Sequence, residues 1–324
     1  MSIEIHKTET VFIIPPSLLL SYNLNSMNTS KSIFDKSTEN TRSGWINGAI
    51  GVLIFSGSMP ATKVAVLDFG PIFVTVARAT IAGILALCIL LIFKEKRPEK
   101  EHFFSLTIVA IGVVIGFPLL SALALQYMTS AHSMVFLGML PLATAIFGVI
   151  RGGEHPHPLF WLFSGLGSLL VIAFAIAQGV SASPIGDLLM LLSIILCGLG
   201  YAEGAKLSKT LGGWQVICWA LLLSLPLMVP ILFFQLPATF DGIGTPAWTG
   251  LAYISIFSML VGFIFWYRGL AQGGIAAVGQ LQLLQPFFGL TLAATLLHEQ
   301  VSLGMLAVTV GVILCVAGSK KFAK

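Results

Sequence analysis

Ionisable side chains are scarce in this 324-residue chain: 17 Lys and Arg and 13 Asp and Glu make up 9% of it, against 56% hydrophobic residues. Those inside long apolar stretches are the ones placed to do chemistry, because a charge there costs roughly 2.5–3.5 kcal/mol on insertion scales. Arg78 either binds an anionic group or holds a gate in a solute cavity, or it anchors structure by pairing with a helix C-terminal carbonyl or with Asp68. Lys63, three residues after Pro60, either snorkels to the membrane surface or joins Arg78 in an electropositive cavity suited to solutes bearing a carboxylate or phosphate. Glu203 either pairs with Lys206 one helical turn on, or serves as a protonatable gate that couples proton entry to solute movement. Gln282 and Gln285 share a helix face and either hydrogen-bond between helices or contact solute. Pro60 frees a backbone carbonyl within an apolar stretch, and Pro60, Pro141 and Pro286 are candidate gating residues.

Covalent and metal chemistry have little to work with. Glu154-His155-Pro156-His157 is the nearest thing to a catalytic cluster, but prolines hold it in a loop. There is no metal-type Cys-x-x-Cys, and Cys88, Cys197, Cys218 and Cys315 all sit in apolar runs, as core residues do. Glycine pairs such as Gly112 with Gly116 serve close helix packing; Gly-x-Gly here opens no strand-to-helix turn, so a nucleotide site is not expected. No metal, cofactor or nucleic acid is expected, and the chain reads as a non-enzyme. An intramembrane enzyme is the rival class and a passive solute channel the third reading.

The elements that must position these residues follow from the hydropathy. Mean hydropathy is +0.96. From Phe103 to Ile150 there is no Asp, Glu, Lys or Arg; one helix of that length would reach about 70 Å at ~1.5 Å per residue, against a bilayer core of about 30 Å. The stretch must fold back, with Tyr127 to Ser130 as the turn. Apolar runs of this kind, without strand alternation, predict an all-α integral membrane protein. Ten transmembrane helices are expected at roughly 45–66, 71–93, 104–126, 131–150, 159–178, 187–206, 213–234, 248–268, 275–297 and 302–318. Trp266 and Tyr267 are expected in the interfacial aromatic belt and His132 in a loop. Residues 1–43, polar apart from Val11 to Leu20, read as a flexible cytoplasmic tail, with Met27 as an alternative start, and residues 319–324 as a second cytoplasmic tail.

With both termini inside, fifteen of the seventeen basic residues fall on cytoplasmic segments, Lys63 and Arg78 lie within spans, and the outer loops hold none. That is the positive-inside bias of a multi-pass protein of the cell (inner) membrane. The spans also divide into two halves, 44–180 and 185–318. Pro141 and Glu154 recur as Pro286 and Glu299 at an offset of 145 residues. Five spans is an odd number, so the second half enters from the opposite side, and two inverted five-helix repeats around a midplane cavity are expected.

Several segments resemble the drug/metabolite transporter superfamily in its EamA-type branch. They are Gly57 through Lys63, Ala77-Arg78-Ala79, Ala124 through Ala131, Gly200 through Lys206, and the run from Tyr267 through Gln285-Pro286 to His298-Glu299-Gln300. The second copy has His298 where the family commonly has the Gly of a Gly-Glu pair, as in Gly153-Glu154. The resemblance implies a secondary active transporter working by alternating access. It would act as an exporter of small organic metabolites such as amino acids or drugs, with solute and lipid as partners and a homodimer as an open alternative.

Overall fold

The computed structural model of the chain describes residues 39–128, 133, 136–177, 183–285, 287–288 and 303–323, and no strand occurs among them. Residues 1–38, Thr129, Ser130, His132, Pro286, His298 and Glu299, all singled out above, lie outside these residues, whereas residues 39–43, expected in the flexible tail, are helical and open the first helix. Residues Arg42–Lys324 form one compact unit. In chain order the described helices are α1 (Glu39–Asp68), α2 (Pro71–Ile92), α3 (His102–Tyr127), α4 (Leu140–Gly152), α5 (Pro158–Ala177), α6 (Pro184–Ser208), α7 (Gly213–Phe234), α8 (Thr245–Gly273), α9 (Ile275–Leu284) and α10 (Leu303–Lys321). Six of them, α1, α2, α3, α6, α7 and α8, are long and apolar enough to cross a bilayer.

Proline sets where many of these helices begin. Pro71, Pro141, Pro158, Pro184 and Pro246 all stand at the first or second helical position. There the missing N–H costs nothing and the fixed φ favours the helix. Large apolar side chains such as Leu67, Ile92 and Phe234 remain exposed on the outside of the protein; lipid is the solvent that suits them. Since lipid tails are as apolar as leucine, cohesion between helices must come from close packing and hydrogen bonds. Gly112 shows the packing: a Cβ added there would lie 2.6 Å from the Leu196 carbonyl oxygen of α6.

The contacts between helices have a symmetry. α2 packs against α7, α4 against α9 and α5 against α10, while α1 packs against α8 and α3 against α6. Exchanging α1–α5 for α6–α10 leaves this set unchanged. Two π-helical stretches obey the same exchange: Ala110–Gly116 in α3, moved along by 145 residues, falls within Ile254–Val261 of α8. Each is closed by a bond five residues back, from Phe117 to the Gly112 carbonyl and from Gly262 to the Phe257 carbonyl. Such bulges widen a helix and often mark functional places.

Two expectations are corrected here. Trp266 and Tyr267 are fully buried, not interfacial. Trp266 packs edge-on against Phe55 and Tyr201, and the Tyr267 hydroxyl donates to the Gly200 carbonyl at 3.2 Å. α8 continues to Gly273, beyond the predicted end, so these rings lie more than a turn inside it and face the core. Cys88 is exposed, unlike the buried Cys197, Cys218 and Cys315.

Candidate solute-binding cavity

Arg78 follows the start of α2 at Pro71 by about two turns and lies only 6% exposed. It opens onto a cavity walled by residues of both halves: Ser58 and Thr62 of α1, Phe117 and Ser121 of α3, Tyr201 of α6, and Ser258 of α8. The volume open to the centre of a water-sized molecule is about 30 Å3. Val113 and Ser258, and Leu140 and Gln285, all on the wall, are pairs 145 residues apart, so equivalent positions of the halves meet at one place. Among the described wall residues Arg78 is the one charge. Its Nη2 donates to Ser258 Oγ at 3.5 Å, an oxygen that also accepts from Ser58 Oγ at 2.8 Å, and its Nε has no partner. A guanidinium has five donors, and this one is largely unsatisfied. Neither of the structural partners considered for it is used. Asp68 instead accepts the Gly244 N–H at 2.8 Å, capping the start of α8.

The proline in α1 does loosen the helix, and the second half closes the gap. Gly57 interrupts α1 just before Pro60. The nearby Ile54 carbonyl accepts from the Tyr253 hydroxyl at 2.6 Å, and the Phe55 carbonyl from Gln285 Nε2 at 3.3 Å. Gln285 thus bonds between helices, one of the roles considered for it, and stands on the cavity wall. Gln282 lies beside Tyr201, off the cavity wall, and is 2% exposed; the buried Gln280 amide is without a formed hydrogen bond. Lys63 is not on the wall either: its Nζ reaches the Leu125 carbonyl at 3.2 Å, in the last turn of α3, where carbonyls lack helical partners and a cation complements the dipole. Pro141 begins α4, whose first residue, Leu140, is on the cavity wall.

At the opposite end of α3 lies a second polar cluster. Glu203 is fully buried and pairs with Arg151 of α4, Nε to Oε2 at 2.7 Å, while Ser105 Oγ of α3 donates to its Oε1 at 2.5 Å. The partner expected from spacing, Lys206, is not the one bonded. Glu203 therefore ties together three helices, two from the first half and one from the second. Glu154, just beyond α4, accepts the N–H groups of Ile275 and Ala276 at 2.6 and 2.7 Å and so caps α9. Gly153 makes this reach possible. It takes the left-handed conformation, φ 67°, ending α4 and turning the chain back. Ser105, Arg151, Tyr201 and Ser258 were not singled out in the sequence; partners so distant along the chain leave no local spacing to find.

Helices built for lipid, arranged as two exchangeable halves around a cavity that holds one buried charge, define a multi-pass membrane protein of the solute-transporter class. The chain belongs to the EamA-like transporter family, part of the drug/metabolite transporter superfamily, whose pattern it matches twice, over residues 42–176 and 184–319. It is 66% identical over 284 residues to the uncharacterized transporter YdeK of Bacillus subtilis (strain 168), a match covering 88% of this chain and 99% of that one. An uncharacterized transporter of Archaeoglobus fulgidus is 23% identical over 260 residues, 78% of this chain and 88% of its own. A chain of known crystal structure shares the fold with a TM-score of 0.72 at 16% identity, over 86% of this chain and 98% of that one.

Proposed function

We propose that the protein is a secondary active transporter that exports small organic solutes by alternating access, through the cavity at Arg78. Ten helices cross the membrane as two inverted halves, 44–180 and 185–318, and the exchange symmetry of the helix contacts supports this arrangement. Two halves equivalent in fold but opposed in direction can close alternately at either face around a fixed site. The observation that carries the reading is the cavity itself, enclosed between the halves and walled at equivalent positions by Val113 with Ser258 and Leu140 with Gln285.

Both termini lie on one side, taken as the cytoplasmic face of the cell membrane. Lys320 Nζ stands 4.5 Å over the Trp45 ring, and His157 N–H donates to the Phe322 carbonyl, so the part of α1 at Trp45, the end of α10 and the α4–α5 loop gather together. On that face the Ser105, Arg151 and Glu203 cluster is the inner gate: it joins helices of both halves, and protonating Glu203 would release Arg151. Pro60 and Pro141 are the bending points, beside the break in α1 and at the start of α4.

Metabolite release tests the reading. Cells overproducing the wild-type protein are expected to lose at least one small organic compound faster than cells lacking it. Arg78→Gln is expected to abolish that difference at equal abundance in the membrane. Identical release from overproducing and deficient cells would sink the proposal.

A further inference from the structure

We infer that the cavity selects organic monoanions, a single carboxylate or its like on an apolar body, and rejects amines and zwitterions such as free amino acids. This rests on reading the same cavity as the transport site. Its charge is one-sided: Arg78 is the one ionisable group with a formal charge on the described wall, 6% exposed, with Nε unbonded and one long bond from Nη2 to a hydroxyl. A buried, poorly satisfied guanidinium gains most from a planar anion that takes two of its N–H groups at once. The Thr62 hydroxyl on the wall can donate to the same group, while those of Ser58 and Ser121 already donate to Ser258 Oγ and the Pro118 carbonyl.

The rejection follows from what the wall lacks. No carboxylate is among the described lining residues, so the ammonium of an amino acid would lose its water without gaining an anionic partner. The rings of Phe55, Phe117, Tyr201 and Phe263 attract cations through their faces, but an unscreened guanidinium in the same small space repels them more strongly. Those rings instead suit an apolar body. A phosphate monoester, near two negative charges at neutral pH, would bring more charge than one guanidinium offsets.

Four compounds sharing a phenyl body decide the matter: phenylacetate, 2-phenylethanol, 2-phenylethylamine and phenylalanine, each measured by equilibrium dialysis against the purified full-length protein in detergent at neutral pH. Phenylacetate is expected to bind about tenfold or more tighter than the alcohol, as a charge-assisted pair requires, and the amine and the amino acid no tighter than the alcohol. Arg78→Gln is expected to erase the preference for the anion and Arg78→Lys to keep part of it. Equal or tighter binding of the amine or of phenylalanine, no binding of phenylacetate, or an unchanged preference in Arg78→Gln would each overturn the inference. The wild-type panel alone decides it should a variant fail to fold. Counterflow of the same compounds in reconstituted vesicles, corrected for leak through protein-free vesicles, separates the two readings. Binding in the expected order without counterflow removes transport and leaves the charge rule standing; counterflow of phenylalanine but not phenylacetate removes the charge rule and leaves transport.

Discussion

Arg78 and Arg151 carry the same charge into opposite situations. Arg151 has a buried carboxylate 2.7 Å away and a side chain 34% exposed; Arg78 has one long bond to a hydroxyl and almost no exposure. The first is held in an ion pair, and the second keeps donors without acceptors. Removing one partner of a fully buried pair costs about 3–5 kcal/mol, and solvent at Arg151 reduces that toward the surface range. Arg151→Ala is therefore expected to destabilise the protein by about 2 kcal/mol, seen as a lower melting temperature in detergent. Arg151→Met combined with Glu203→Gln is expected to recover about half of the loss, because no lone charge is left and the Ser105 bond can persist. Equal melting of wild type and Arg151→Ala would show that the pair holds nothing together.

Turns and breaks carry the argument at the scale of elements. Gly153 ends α4 with φ 67°, and its turn delivers Glu154 to the start of α9. An L-residue pays about 1–2 kcal/mol for that conformation, so Gly153→Ala is expected to lower stability by about that amount. Gly165, within α5, has open space where a Cβ would go and no unusual φ. Gly165→Ala, measured by the same melting experiment, is expected to be neutral or slightly stabilising, since alanine is the better helix former. A Gly153→Ala protein that melts like the wild type would mean that the turn is not under strain. The π stretches of α3 and α8 belong to this scale too. They put Val113 and Ser258 on the cavity wall from equivalent places.

For the molecule as a whole, the claim under test is direction across the membrane. In a background without the native cysteines, cysteines placed at Ser43 and Lys320 are expected to react with an impermeant maleimide only in inside-out vesicles. One placed at Asp241, in the exposed loop after α7, is expected to react only in intact cells with the outer face open. Labelling of Ser43 and Lys320 positions from opposite sides would overturn the even number of crossings. The contact of Lys320 with Trp45 already requires these two ends of the compact unit to meet.

Hydropathy and charge placement were enough to show a multi-pass helical protein with duplicated halves, because span length, basic loops and the 145-residue offset are properties of the chain itself. Arg78, Gln285 and Pro60 could be picked out on the same ground: a polar or helix-breaking residue in an apolar stretch stands out without any structure. Partners could not. Glu203 has Lys206 one turn away, yet bonds Arg151, 52 residues back, since α4 packs against α6 and brings that guanidinium to it. Charge alone leaves Lys63 either snorkelling or joining Arg78; in the fold its Nζ reaches the Leu125 carbonyl at the end of α3. Trp266 and Tyr267 had the composition of an interfacial belt; the extension of α8 to Gly273 and the close approach of Gly204 put them inside. Which residues lie in apolar stretches is written in their order, whereas which of them meet depends on how helices pack, and packing is a property of surfaces that no single segment contains.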